Sequence, residues 1–206
     1  MNKLKHHFQF DIRLLKGIYI IPFVGYLLTL LLMLLSYPEE SYLPYIFLQG
    51  IAIPAAGLHV VFLYSSIYDE GAPDTLIPYY KKNIAYDLLR YGLLHGFIIL
   101  LLTSLLIWVK GSEFLDMIMV LHLLLLFIFY QLIGLALLTI IKSLEISIAI
   151  NAIYTVTEVV SLGNFFPVLH LFIFEDFFHD IWLYLKLFLL FIGIVLSVVQ
   201  LVRAFK

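Results

Sequence analysis

The sequence predicts an all-α membrane protein, and three observations support this. First, 64% of the 206 residues are hydrophobic and 13% are charged, whereas a soluble domain carries about 25% charged residues. Second, six runs are long and apolar enough to cross a hydrocarbon core of about 30 Å as helices. Third, these runs lack the polar–apolar alternation of membrane barrel strands. Soluble enzymes, disordered linkers and disulfide-rich secreted domains are excluded, the last because cysteine is absent.

The first predicted element is an amphipathic helix over residues 1–16. Leu4, Phe8, Ile12 and Leu15 fall on one helical face, with basic residues largely off it, which is typical of a helix on the inner leaflet. A basic tail without fixed structure is the alternative. Six transmembrane helices then follow at residues 17–36, 45–67, 88–109, 114–141, 146–162 and 181–202. They form a single transmembrane domain covering the whole chain, because no repeat or low-complexity linker divides it.

Two connections are predicted to be more than turns. Residues 69–83 join the second and third crossings and are expected to form a short helix across the membrane surface, with Asp74 as N-cap. An ordinary cytoplasmic loop with aromatic anchors is the alternative. The stretch before the sixth crossing is apolar but too short to cross, and Pro167 interrupts it. A re-entrant segment is therefore predicted there.

The distribution of positive charge predicts the orientation of the chain. Six crossings place both termini on one side, together with the connections after the second and fourth crossings. Ten of the 12 lysines and arginines belong to that side, and Lys110 and Lys186 belong to the other. Positively charged connections stay in the cytoplasm. Both termini are therefore expected on the cytoplasmic side of a plasma membrane.

The connection between the second and third crossings carries a motif. Acidic residues precede Thr-Leu, which is followed by Pro-x-x-Lys-Lys and then by Ile84, which leads into the third crossing. Apolar side chains flanked by charge suit insertion into a groove of a soluble subunit. The candidate docking residues are Asp69, Glu70, Asp74, Thr75, Leu76, Ile77, Pro78, Tyr79, Lys81 and Lys82. With its six crossings, the chain resembles the permease subunits of ABC transporters of the type-2 exporter class.

The resemblance implies one membrane half of a bacterial exporter, with an amino-terminal elbow helix, a cytoplasmic coupling helix and a re-entrant element before the sixth crossing. Two permease subunits, identical or different, pair in this class, and two ATP-binding subunits dock on their coupling helices. This chain has no GxxxxGK[ST] phosphate-binding loop. ATP and Mg are therefore expected on the partner ATPase, and no cofactor or catalytic residue is expected here. Peptides, antibiotics and lipid-like amphiphiles all fit as cargo.

Polar residues inside two crossings are candidates for lining a translocation path. The fifth crossing carries four of them on one helical face, and the resemblance adds two in the second crossing, near the break made by Pro54 and Gly57. The candidates are His59, Tyr64, Ser147, Asn151, Thr155 and Glu158. A glutamate in the apolar zone is costly unless it is paired, hydrated or neutralised. Hydrogen bonding between helices is the alternative role for the stripe on the fifth crossing.

Small residues predict where helices approach each other closely. Gly92 and Gly96 lie four positions apart in the third crossing, and Gly25 and Thr29 lie four apart in the first. Such pairs allow close packing of helix backbones in a membrane.

Three other function classes fit the sequence less well. In a prenyl-protease type of intramembrane enzyme, Phe166 and His170 would match one motif, but Phe174 stands where a further motif needs Asn, and the histidines are scattered. A channel or proton-coupled carrier needs several charges deep in the crossings, and Glu158 is the one candidate. A scaffold or immunity-type membrane protein stays open. The net charge of −2 argues against nucleic acid as a partner.

Overall fold

In the part of the chain that the structure describes, six helical spans are long and apolar enough to cross a membrane, which suggests a multi-pass membrane protein. The computed structural model describes residues 3–36, 42–69, 77–78, 80–111, 114–165, 170–174 and 181–206. Within these ranges the chain is helical and has no strands, so the predicted fold class is confirmed at that level. The six crossings are Lys5–Leu35, Leu43–Tyr68, Ile84–Lys110, Met117–Ile141, Leu144–Ser161 and Ile181–Ala204.

The first crossing is built from two helices that meet at a change of backbone geometry. Its parts are helix α1 (Lys3–Leu15), a 3-10 turn (Lys16–Ile20) and helix α2 (Ile21–Leu35). Lys16 has a φ of 50°, and such a left-handed residue ends a regular α-helix. Helix α1 buries Asp11 and Leu15, whereas Ile12 of the predicted apolar face is 48% exposed. The position of α1 on the membrane surface stays a prediction.

The second crossing contains a wide turn. It consists of helix α3 (Leu43–Phe47), a π-helical turn (Leu48–Ala52) and helix α4 (Ile53–Asp69). Pro54 accounts for the turn, because its ring would collide with the carbonyl of residue 50 in a regular helix and because it has no N–H to donate. The wider π geometry relieves this collision locally. The predicted break is thereby absorbed within the crossing, and Gln49 in the turn is fully buried.

Helix α6 lies at the centre of the bundle. The remaining crossings are α5 (Ile84–Lys110), α6 (Met117–Ile141), α7 (Leu144–Ser161) and α8 (Ile181–Ala204). Helix α6 packs most extensively against α4 and α8. The Asp116 carboxylate caps its start by accepting the N–H of Met117, and left-handed Lys142 ends it. Ser143 caps α7, so two residues suffice to connect α6 with α7.

Glycines set the distances between several helices. A Cβ at Gly57 would lie 2.3 Å from the carbonyl oxygen of Tyr130, and a Cβ at Gly25 would lie 2.7 Å from the Cβ of Ala55. Both distances are far below van der Waals contact, so α4 touches α6 and α2 only because glycine stands there. At Gly92, by contrast, no atom of the described chain lies within 4 Å of such a Cβ. Gly92 thus makes no close contact within the described chain, and its packing role stays a prediction.

One end of the bundle holds both termini, and we call it the terminal end. The Nζ atom of Lys81 donates a hydrogen bond to the backbone oxygen of Lys206, and the ring of Tyr64 contacts that of Phe205 edge-on. The ring of Phe8 in α1 meets that of Tyr91 in α5 in the same way. The ends of α4 and α8 thus meet the start of α5, as an even number of crossings requires.

A short non-helical stretch, residues 170–174, lies between α7 and α8 and is called the inserted segment. Its last four residues are buried, and Phe172 contacts the rings of Tyr130 and Tyr154. The rest of the predicted re-entrant stretch includes residues 166–169 and 175–180, which lie outside the described residues. Its path relative to the membrane therefore stays a prediction.

Candidate functional site

A groove of about 390 Å³ lies between α2, α4, α6 and α7. It opens to the outer surface of the bundle, where the flanking Val24 and Val156 are more than half exposed. Four glycines on its lining, Gly25, Gly50, Gly57 and Gly134, let the surrounding helices pack closely against one another. The lining residues are Ile21, Val24, Gly25, Gly50, Ile51, Pro54, Ala55, Gly57, Leu58, Val61, Tyr130, Gly134, Ile148, Asn151, Ala152, Thr155 and Val156.

Two of the predicted path-lining residues, Asn151 and Thr155, line this groove. The Thr155 hydroxyl donates to the backbone oxygen of Asn151 at 2.8 Å and pairs with the Tyr130 hydroxyl at 2.6 Å. The amide nitrogen of Asn151 donates to the backbone oxygen of Ser147 at 2.9 Å. The amide oxygen of Asn151 adds a hydrogen-bond acceptor to the lining of the groove.

The other four predicted path-lining residues are fully buried inside this subunit. Ser147 donates to the backbone oxygen of Ser143, and Glu158 contacts His170. His59 and Tyr64 face α5 rather than the groove, because their partners are His95 and Asp87. The face of α7 that the sequence singles out is therefore divided between the groove and the interior. The lining of a path by any of the six residues stays a prediction.

The predicted docking segment is described only in part. Glu70, Asp74, Thr75, Leu76 and Tyr79 lie outside the described residues. Asp69 ends helix α4, and residues 77–78 are helical, with Ile77 packed against the buried cluster at the terminal end. Lys81 and Lys82 are exposed beside them. The segment thus leaves the terminal end of the bundle, and its docking role stays a prediction.

A buried charge cluster at the terminal end was not predicted. It consists of Asp11 from α1, Tyr64 from α4, and Asp87, Arg90 and Tyr91 from α5. The Arg90 guanidinium contacts Asp11 and Asp87 at 2.5 and 2.8 Å. The Tyr91 hydroxyl donates to Asp11, and the Tyr64 hydroxyl donates to Asp87. Both carboxylates are therefore paired, which offsets the large cost of burying them.

A chain of aromatic and histidine rings continues from this cluster towards the membrane interior. His59 stacks on Tyr91 with ring centroids 4.6 Å apart, and its Nδ1 lies 2.9 Å from Nε2 of His95. The second nitrogen of His95 lies 2.6 Å from the Tyr26 hydroxyl. The chain links α2, α4 and α5 by hydrogen bonds. Beside the charge cluster is a cavity of about 260 Å³ that His6, His7 and Phe10 help to line.

A second polar region lies at the opposite end and holds the inserted segment. Gln49 exchanges two hydrogen bonds with the backbone of Ile173, one to its oxygen and one from its N–H at 3.1 Å. His122 binds the backbone oxygen of Leu171 at 2.7 Å, and Lys186 donates to that of Phe172 at 2.8 Å. These side chains supply hydrogen bonds to backbone groups of the inserted segment, which would bond to one another if the segment were helical.

Helix α7 reaches the inserted segment through Tyr154, which hydrogen-bonds the backbone of Leu171, and through the contact of Glu158 with His170. The Nδ1 atom of His170 lies 2.5 Å from Oε2 of Glu158, whose side chain is 0% exposed. Burial lowers the pKa of His170, and nearby Lys186 lowers it further, although the hydrogen bond to Glu158 acts in the opposite direction. The sequence singles out Glu158 but not this partner, which lies 12 residues further along.

Comparison with known proteins does not identify a family for this chain. No family model, no curated protein and no solved structure matches the chain. Across the described ranges, no group of three or more His, Asp or Glu side chains could hold a metal ion. The groove, the two polar regions and the charge pattern of the connections are the features that bear on function.

Proposed function

We propose that the protein is the membrane-spanning permease subunit of a bacterial ABC exporter, which works as a dimer with separate ATP-binding subunits. One observation carries the proposal: the groove of about 390 Å³ between the first, second, fourth and fifth crossings. Such a cavity in a multi-pass protein suits a small molecule that moves between lipid and a path through the protein. ATP and Mg belong to the partner subunits in this proposal.

The lining of the groove favours a neutral, mostly apolar cargo. Among the described residues that line it, none is charged, and Asn151, Thr155 and Tyr130 are its polar side chains. A charged group would lose its hydration there without a counter-ion, which costs several kcal/mol. A lipid-like amphiphile or an apolar peptide fits the groove better than a charged antibiotic.

An open groove on a single subunit also supports pairing. Its flanks on α2 and α7 include the exposed Val24 and Val156, so a second copy could supply the missing wall and close a path between the two subunits. Interfaces of this kind in lipid depend on small residues that let backbones approach. Ala152, which is exposed on the groove, is such a small residue.

The position of the docking segment supports coupling to an ATPase. It leaves the terminal end, to which ten of the 12 lysines and arginines belong in the six-crossing arrangement, and such an end faces the cytoplasm. Closure of ATP-binding subunits beneath it would push α4 and α5, which the segment joins, and would rock the crossings between inward-open and outward-open arrangements.

Purification from host membranes tests this proposal. The tagged full chain should bring along an ATP-binding protein with a GxxxxGK[ST] motif, identified by mass spectrometry, and should stimulate its ATPase activity in vesicles. Replacement of Glu70 or Thr75 by Ala should reduce transport per ATP hydrolysed at unchanged membrane expression, whereas Lys142→Gln, in another exposed connection on the same predicted side, should not. Absence of any such partner, or unchanged coupling in both docking variants, would contradict it.

A further inference from the structure

The cavity of about 260 Å³ at the terminal end lies between α1, α4 and the start of α5. Helix α1 contributes His6, His7, Phe10 and Asp11 to its lining, and Asn83 and Asp87 line it from the start of α5. Helix α5 begins at Ile84 and is 27 residues long, whereas about 20 residues cross the hydrocarbon core. A cavity at its first turn therefore lies at the depth of the lipid headgroups.

The buried charges around this cavity do not balance. Asp11 and Asp87 each carry a negative charge, and Arg90, which contacts both carboxylates, is the one fixed cation among the lining residues that the structure describes. All three side chains are buried, and together they hold one negative charge in excess. Because a buried charge without a counter-ion is costly, the cavity favours a ligand with a positive charge.

Two oxygen atoms at the cavity can accept hydrogen bonds from such a ligand. The described contacts of Asp11 with Arg90 and Tyr91 both use Oδ2, so the lone pairs of Oδ1 are left for a donor. Asn83 occupies the N-cap position of α5, yet its side chain makes no capping hydrogen bond. Its amide oxygen is thus not committed to the helix backbone. A carboxylate and an amide oxygen suit an ammonium group that carries N–H donors, and the charged acceptor forms the stronger bond.

An apolar surface continues from the cavity along α5. The ring of His7, which lines the cavity, contacts the ring of Tyr86 with centroids 5.2 Å apart. Tyr86, Leu89, Leu93 and Phe97 follow one another on a single face of α5, and all four are exposed. Exposed apolar side chains in a membrane contact acyl chains, which are as apolar as they are. A lipid can therefore use both the cavity and this face, whereas a soluble amine can use only the cavity.

We propose that the cavity binds the primary ammonium group of a phospholipid headgroup of the ethanolamine type. The ammonium donates hydrogen bonds to Oδ1 of Asp11 and to the amide oxygen of Asn83, and its charge balances the carboxylate that Arg90 leaves in excess. The phosphate remains in the headgroup layer, and one acyl chain follows the exposed face of α5. The bound lipid holds α1 against α5 at the terminal end. The site is separate from the groove and needs no ATP-binding partner.

Native mass spectrometry of the purified full chain in detergent tests the proposal. Phosphatidylethanolamine and phosphatidylcholine with identical short acyl chains are titrated separately, since these lipids differ only in the three methyl groups on the headgroup nitrogen. The methyl groups remove the N–H donors, so the ethanolamine lipid should bind about tenfold more tightly, as for one hydrogen bond to a charged group. Equal binding of the two lipids to the wild type would overturn the proposal, even if a variant failed to fold.

Two substitutions in the cavity should reduce this preference by different amounts. Asp11→Asn removes the excess negative charge and should abolish the preference for the ethanolamine lipid. Asn83→Ala removes the neutral acceptor and should lower the preference about threefold. Asn164→Ala is the matched control, because Asn164 is exposed after the end of α7, and it should leave the preference unchanged. A preference that survives in both cavity variants, or that falls equally in the control, would also overturn the proposal.

Two further ligands identify the source of the headgroup chemistry. Glycerophosphoethanolamine has the same headgroup without acyl chains and should bind at least about tenfold more weakly than the lipid, because it buries no apolar chain. Binding as tight as that of the lipid would assign the cavity to a soluble amine and overturn the lipid assignment. Phosphatidylglycerol has no ammonium group and should bind more weakly than the ethanolamine lipid. Tighter binding of phosphatidylglycerol would show that the site takes an anion instead. All these measurements use the chain without an ATP-binding subunit, so failure of the lipid site and failure of the exporter proposal are distinguishable.

Discussion

The two polar regions of this protein solve different structural problems at opposite ends of one bundle. At the terminal end, the charge cluster joins side chain to side chain across three helices, with Arg90 between Asp11 and Asp87. At the other end, Gln49 and Lys186 bind the backbone of the inserted segment. In the first region, side chains fix the relative positions of helices whose backbone hydrogen bonds are already made within each helix. The second region supplies hydrogen bonds that an irregular backbone cannot make within itself.

The largest effect should come from breaking the charge cluster. Arg90→Leu leaves two buried carboxylates without a counter-ion, which destabilises a protein by about 3–5 kcal/mol. Unfolding of the detergent-solubilised chain in a denaturant titration measures this loss. Arg203→Leu is the control, since Arg203 is exposed near the end of α8, and it should change stability little. A loss below about 1 kcal/mol for Arg90→Leu would show that the cluster is not the stabilising junction described here.

A smaller loss of stability is expected where two helix backbones pack directly on each other than where buried charges pair. In Gly57→Ala the added methyl meets the backbone of α6, which cannot move as a side chain can, and overpacking of this kind costs about 1–3 kcal/mol. Gly92→Ala adds the same methyl on α5 in open space and should be neutral or slightly stabilising. Equal effects of the two substitutions in the same unfolding assay would contradict the packing of α4 on α6.

Disruption of the polar region at the opposite end should increase local opening of the inserted segment rather than global unfolding. Gln49→Leu removes both hydrogen bonds to Ile173 and leaves its backbone groups unpaired, at a cost of about 1–3 kcal/mol. Because residues 170–174 are non-helical and are held by side chains of other elements, their hydrogen exchange should accelerate while exchange in α6 stays unchanged. Uniform acceleration throughout the protein would show that this region is part of the global fold.

The smallest stability effect is expected in the groove. Asn151 donates one hydrogen bond to its own helix, and such bonds in membrane proteins contribute about 0.6 kcal/mol on average. Asn151→Ala should therefore unfold almost as the wild type does, yet transport of an amphiphile should change severalfold because the groove loses its polar acceptor. A large loss of stability with normal transport would assign Asn151 to packing instead.

The sequence predicts the helices well because length and hydropathy are local properties. Each predicted crossing overlaps one of the six long apolar spans, although the first span, Lys5–Leu35, also includes most of the predicted surface helix, and Pro54 marks the position of the π-helical turn. The charge cluster could not be predicted in this way, because Asp11 and Arg90 are 79 positions apart and each looks like an ordinary polar residue on its own helix.

The candidate site could be predicted from the sequence only in part, for the same reason. The stripe on the fifth crossing is visible as a pattern, but the pattern cannot tell which members face a groove and which face a neighbouring helix. Glu158 stands out as a buried charge, whereas its partner His170 lies in a stretch with no periodicity. The seating of the His170 ring on Gly163 depends on backbone geometry after the end of α7. Contacts of this kind follow from tertiary packing rather than from spacing.

Accessibility of the groove during ATP turnover tests the exporter account most directly. The chain has no cysteine, so Ala152→Cys introduces a single thiol at the groove, and Leu196→Cys places one on the exposed face of α8. In vesicles with the ATP-binding subunit, addition of ATP and Mg should change the rate at which a water-soluble maleimide labels the groove thiol at least severalfold, while the thiol on α8 is unaffected. Groove labelling that does not depend on ATP, in vesicles that hydrolyse it, would contradict the account.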